Sequence, residues 1–275
     1  MTPRVFCQVE PVGDACAGRQ ARDANVDAIR LQSWYNTPLG ETSARLIADS
    51  MGRWLRARPS ERTLGFGFPH PYIKALAPHL GAVLGASPAE MGVARWPKGG
   101  DNRIAQVRPD ALPFPDESFD RIIMTHLLEG VQSPRATLRE TWRVLIPGGR
   151  VLVLVPNRGG MWARRDMTPF GWGRPFSPTQ LRATLEESLF LPRQSSYALF
   201  MPPFQGQRWL GWAPGWEKAG ARWFAPLGGV ILCEAEKVVY AVPVIDSGGR
   251  RVKQPRRIPV PIGNNRICER EETGL

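Results

Sequence analysis

The chain has few of the residues that build metal centres or disulfide frameworks: four cysteines (Cys7, Cys16, Cys233 and Cys268, with no CxxC pair) and three histidines in 275 residues. Neither a zinc site nor a disulfide scaffold is indicated, and a reducing, cytoplasmic setting fits this cysteine usage. Long apolar runs are missing too. The longest, such as 151–155 and 229–233, fall far short of the roughly 20 residues that span a bilayer, so no transmembrane segment is expected. The first 25 residues carry Pro3, Pro11 and Gly13 and no apolar stretch behind a basic start, which argues against a secretory leader. Acid is scarce relative to base, with 25 acidic residues against 36 lysines and arginines and a net charge of +11. Such an excess suits a polyanion, either RNA or an anionic membrane surface. Only +3 of it lies from Asp246 onward, where seven basic residues oppose four acids. The remainder is spread over the chain and reads as a compositional bias rather than a binding groove.

What is present is most legible in 110–157, DALPFPDESFDRIIMTHLLEGVQSPRATLRETWRVLIPGGRVLVLVPN. Asp116, Glu117 and Ser118 form a polar turn before the apolar run Ile122, Ile123, Met124, which has the length and branching of a buried parallel strand. Ser133 and Pro134 open a helix as N-cap and first-turn proline. Leu138, Trp142 and Leu145 give that helix an inward face, and Pro147-Gly148-Gly149 stops it before the strand 151–155. The LPFPDESFD, HLLE and RETWRVLIPGGR segments resemble the class I S-adenosylmethionine (SAM) dependent methyltransferases, specifically the type 11 group that includes the ubiquinone and menaquinone methyltransferases. The resemblance covers roughly 26–243. It implies an α/β, Rossmann-like seven-stranded sheet with helices on both faces and an antiparallel seventh strand.

The organisation follows. Residues 1–25 lack periodicity and read as a disordered extension, 26–245 as the methyltransferase domain, and 246–275 as a flexible basic tail. Two helices spanning about 26–55 precede the sheet, with Trp34 and Tyr35 placed either across the cofactor mouth or packed at the domain's edge. Strands are expected at 62–64, 81–84, 102–107, 121–125, 150–155, 197–201 and 229–242, with helices at 72–79 and 179–188.

The resemblance assigns chemistry residue by residue. Gly65, Phe66 and Gly67 stand where a glycine-rich turn after the first strand would let SAM approach bare backbone, with Pro69 in place of a third glycine. Gly85 stands where a carboxylate would accept the ribose hydroxyls, leaving Ser87 as the nearby acceptor. Asp110, Ala111 and Leu112 would border the adenine, and His126 the methionine end. His126 and Glu129, three residues apart, are the candidate catalytic pair; lining of the pocket by His126 and capping of backbone amides by Glu129 is the reading favoured over a base. After the fifth strand Trp162, Phe170 and Trp172 interleave with Arg165, as a flat or anionic substrate would require or as a lid would supply. The function implied is SAM-dependent methyl transfer to a small molecule. A non-catalytic pseudo-methyltransferase is the alternative, and an RNA methyltransferase a third reading that rests on charge alone. No metal is called for.

Overall fold

The computed structural model describes residues 27–239 apart from 56–59, 93–95, 97–101, 166, 205 and 207–209. The expected tails, 1–25 and 246–275, lie outside the described residues. Helices α1 (Ala28–Tyr35) and α2 (Pro38–Gly52) lead into β1 (Arg62–Gly67), α3 (His70–Leu76), β2 (Ala82–Pro88), β3 (Ile104–Val107) and β4 (Phe119–Thr125). Then come α4 (Pro134–Val144), β5 (Leu145–Pro156), α5 (Pro178–Glu187), β6 (Phe190–Ala198), α6 (Ala213–Trp223) and β7 (Val230–Lys237). The strands form a seven-stranded sheet in the order β3-β2-β1-β4-β5-β7-β6, and β7 runs antiparallel between β5 and β6.

Local chemistry starts the helices. Asp27, Thr37, Ser133 and Ser177 each accept a backbone N–H of the first turn, and a proline follows the last three at the first helical position. The central strands alternate between two cores, as side chains on a pleated sheet must. Ile122, Met124, Val151, Val153 and Val155 pack under α4 and α5 with Phe66, Leu138 and Leu181. Ile123, Leu152 and Leu154 face the opposite layer with Phe68, Tyr72, Trp162 and Phe170.

Several boundaries differ from expectation. β1 and β2 run three to four residues further than their apolar residues suggest, because Gly65 pairs with both Gly85 and Ile123 inside the sheet. β6 begins at Phe190 rather than 197; its Arg193, Gln194 and Ser195 are exposed on an edge strand with no apolar alternation to announce it. α6 was not foreseen at all. Its Trp-rich sequence buries only Ala213 and Gly220.

The RETWRVLIPGGR segment is a clamp. Arg143 donates to the Leu112 and Phe114 carbonyls (2.9 Å each) and pairs with Asp116 (2.6 Å) and Glu140 (2.8 Å), while Glu140 accepts the Leu112 N–H at 3.0 Å. These charge-assisted bonds fix the LPFPDESFD turn, including Glu117 at φ +55°. Replacing Arg143 with alanine leaves two carbonyls and Asp116 without this donor, and Glu140 with the Leu112 N–H alone. Arg143→Ala is therefore expected to lower stability by about 2 kcal/mol, read as a shift of the urea midpoint at unchanged slope.

Candidate active site

At the carboxyl end of the sheet, β1 and β4 finish side by side. Gly67 has φ +97°, and the chain leaves β1 by passing the Phe68 N–H to the Thr125 carbonyl at 2.9 Å. A Cβ on Gly67 would run into that carbonyl. The glycine is thus required by the fold itself, so a bulky residue there would break the domain rather than probe a ligand.

The next residue after β4, His126, is also left-handed at φ +50° and fully buried. Its Nε2 lies 2.6 Å from the Tyr35 hydroxyl and 3.2 Å from that of Tyr72, and the two hydroxyls are 2.5 Å apart. Burial pushes both tyrosine pKa values up, so both phenols stay protonated. Tyr72 can then donate to Tyr35, and Tyr35 to Nε2. That arrangement leaves the imidazole proton on Nδ1, facing Glu129 Oε1 at 3.4 Å. The distance is too long for a good hydrogen bond. His126 Nδ1 and both Glu129 oxygens remain unpaired in a wholly buried place, as does the hydroxyl of Thr125, the residue before His126. An unpaired buried carboxylate is costly. The candidate pair His126 and Glu129 is brought together here. Tyr35 and Tyr72 complete the cluster, and no periodicity in the sequence marked Tyr72.

The other candidates are distributed differently. Gly65 lies within β1, its Cβ position filled by the Pro69 ring at 2.7 Å, and Phe66 turns into the core beneath α4. Ser87 donates to the Gly92 carbonyl at 2.7 Å and so closes the turn after β2. Asp110 is an exposed, bidentate partner of Arg108 at 3.0 and 3.2 Å, its carboxyl held below the usual range by the Arg108 hydrogen bond. Ala111 is exposed beside it, and Leu112 is buried in the clamped turn. Among the residues expected on the substrate side, Trp162 and Phe170 are core. The Trp162 ring N–H donates to the Met201 carbonyl at 2.8 Å, and Trp34 packs edge-on to both rings. Trp172 lies under the Arg30 guanidinium at 4.3 Å. Arg165 instead borders a surface cleft of about 230 Å³ with Trp34, Leu39, Met167, Thr168 and Phe204.

Residues 64–153 match the methyltransferase domain family of type 11. A demethylmenaquinone methyltransferase from Clavibacter sepedonicus is 39% identical over 84 residues, covering 26% of this chain and 34% of that protein. A ubiquinone/menaquinone biosynthesis C-methyltransferase from Hahella chejuensis is 50% identical over 56 residues, 20% of this chain and 22% of that one. The chain thus spans about a third or less of the length of these curated relatives. Among solved structures, a SAM-dependent methyltransferase from Thermotoga maritima superposes with a TM-score of 0.51 at 18% identity, covering 75% of this chain and 93% of that one. Another from Aquifex aeolicus gives 0.51 at 14% identity, covering 77% and 99%. The family match is confined to residues 64–153, a third of the chain, and the solved methyltransferases share its fold. SAM is the cofactor of those methyltransferases.

The cluster at β1 and β4 fits one end of SAM better than the other. Unpaired Glu129 oxygens offer a cationic group a place at the methionine end. Among the described residues β2 carries no carboxylate: Gly85 sits in mid-strand, and a Cβ there would lie 2.7 Å from Ile104 Cγ1. The position is therefore filled by Ile104 rather than waiting for an acid. Gly85→Asp should overpack β2 against β3 and bury an unpaired charge, with a loss of about 2 kcal/mol or more. Thermal unfolding would read that loss, and calorimetry should show no tighter SAM binding.

His70, at the start of α3, is largely buried against Phe68 with both ring nitrogens unpaired, and burial lowers its pKa from 6.5 to about 4. Between those values the unfolded chain binds more protons than the folded one. His70's contribution to stability is thus complete above about pH 6.5 and is lost as pH falls toward 4. Denaturant titrations at pH 7 and pH 4.5 should show a smaller acid-induced loss in His70→Phe than in the parent.

Proposed function

We propose that the protein is a SAM-dependent methyltransferase acting on a small-molecule acceptor. The observation that carries this reading is the coincidence of the type 11 domain match with a buried, polar and unsatisfied cluster at the carboxyl ends of β1 and β4. In α/β sheets of this kind, ligands bind outside those strand ends. When bound, SAM supplies an electrophilic methyl group on a sulfonium. Glu129 would hold the cationic methionine end, and Thr125 and Gly67 would border it with hydroxyl and bare backbone. As Tyr35 passes its hydroxyl proton to His126 Nε2, the Tyr35 oxygen would take up the proton that an acceptor hydroxyl or acidic carbon gives up. Phe68, Tyr72 and Phe170 exclude water around these groups. Tyr35 roofs the cluster from α1, so ligand entry requires α1 to move aside. The cleft beside Trp34 and Arg165, about 230 Å³, is smaller than the roughly 300 Å³ at which drug-sized pockets begin, which suits only a small acceptor.

A second reading, a non-catalytic pseudo-methyltransferase, is favoured by the ribose end, where Ile104 fills the place of the carboxylate and Pro69 that of a glycine notch. An RNA methyltransferase gains nothing from the described surface beyond charge. Calorimetric titration with SAM and S-adenosylhomocysteine separates the first two readings. SAM binding is expected to weaken by roughly ten- to a hundredfold in Glu129→Gln. No heat of binding at millimolar SAM with a folded parent chain would leave the pseudo-enzyme standing.

A further inference from the structure

The surface of α6 carries an exposed stripe that neither the core nor the proposed reaction uses. Trp212, Trp216, Ala219 and Trp223 follow one another at spacings of four, three and four, which sets them on one face of the helix. Trp212 is 74% exposed, Trp223 73% and Trp216 39%. The adjoining face is the one that packs. Glu217 accepts the backbone N–H groups of Leu199, Phe200 and Met201, and Gly220 lies against the Phe200 ring. Beyond α6, exposed Phe224 and Leu227 extend the apolar surface, and the Asn157 side chain ties Pro226 and Gly228 to the end of β5, beside exposed Met161. In the other direction the segment that Glu217 holds runs on to Phe204 and the cleft with Met167 and Arg165.

Two features select the occupant of this face. The exposed residues are mostly tryptophan and phenylalanine, whose rings partition to the boundary between headgroups and acyl chains. The charged groups around them are basic: among the described residues of 161–165 and α6, Arg164, Arg165, Lys218 and Arg222 are exposed, while the one acid, Glu217, is turned inward. A second copy of the chain meeting this face across a two-fold axis would set those cations against themselves. An anionic bilayer surface would attract them. No described helix is long and apolar enough to cross a membrane, which leaves binding in the plane of the interface.

We propose that the α6 face, with its flanking arginines and lysine, docks the protein onto anionic lipid bilayers, placing the carboxyl end of the sheet and the cleft beside Arg165 against the membrane. The experiment is co-sedimentation of the full chain with vesicles of phosphatidylcholine alone or mixed with phosphatidylglycerol, read alongside sedimentation velocity without lipid. Binding is expected to the mixed vesicles, with a blue shift of tryptophan emission and a decline as salt rises. Trp212→Ser with Trp223→Ser should lower the partition coefficient about tenfold or more, and Lys218→Glu with Arg222→Glu by about tenfold or more. Both pairs are exposed, so far-ultraviolet circular dichroism should be unchanged. Because the readout is partition, it stands or falls apart from methyl transfer. Absence of binding by the parent chain overturns the proposal, as does binding that both double variants retain, which would place the lipid affinity elsewhere. A dimer that dissociates in the tryptophan variant, without vesicle binding by the parent, would assign the face to a second copy.

Discussion

The arrangement at the strand ends depends on one backbone contact, the approach of Gly67 to Thr125. β1 and β4 are neighbours in register, Gly67 opposite Thr125, and the chain can leave β1 there only with a positive φ and no side chain. That turn starts α3 and aims Tyr72 back over β4. On the other strand, His126 takes its own left-handed conformation, which points its ring under Tyr72 and Tyr35. Strained backbone of this sort persists where surrounding packing overdetermines it. Here the packing is aromatic: Phe170, Tyr35 and Tyr72 lie against the imidazole at centroid distances of 5.4, 5.7 and 6.4 Å, and Trp34, Phe68 and Trp162 pack on those rings.

This enclosure gives the site its uneven character. The cluster around Glu129 is polar, buried and unsatisfied, a state that costs stability and that a cation would relieve. The surroundings of Gly85 are instead apolar and filled by Ile104. The segment of chain around α1 also borders the cleft with Arg165, so the roof of the buried cluster and the wall of the cleft are the same helix.

Away from the site, two electrostatic ties hold the sheet. Arg143 gathers the turn before β4, and at the opposite end buried Arg121 bridges Glu61 at 3.1 Å and Glu234 at 3.2 Å, joining β4 to β7 and to the residue preceding β1. Arg150 and Gln194 share the second Glu234 oxygen, at 3.3 and 2.9 Å. A buried carboxylate is tolerable there because three donors on three strands satisfy it.

The sequence by itself determined the element types wherever local chemistry was complete. Ser133-Pro134 and Ser177-Pro178 could only open helices, the apolar runs 122–124 and 151–155 could only be central strands, and the turn residues between them allowed one order. The family resemblance was legible for the same reason, since its residues are mostly the clamp formed by Leu112, Glu140 and Arg143. The ends of β1 and β2 were not legible, because glycine has no side chain whose polarity could report burial, and Gly65 and Gly85 are in the sheet only because they face each other. β6 carried no alternation, being an edge. At the site, the three-residue spacing of His126 and Glu129 was visible, but their distance was not, since it follows from a left-handed residue rather than from a helical turn. Tyr35 and Tyr72 come from helices 37 residues apart, and Ile104 reaches Gly85 from another strand. Only the tertiary structure could decide those meetings, because contacts between segments distant in sequence are set by packing and leave no periodic trace in either segment.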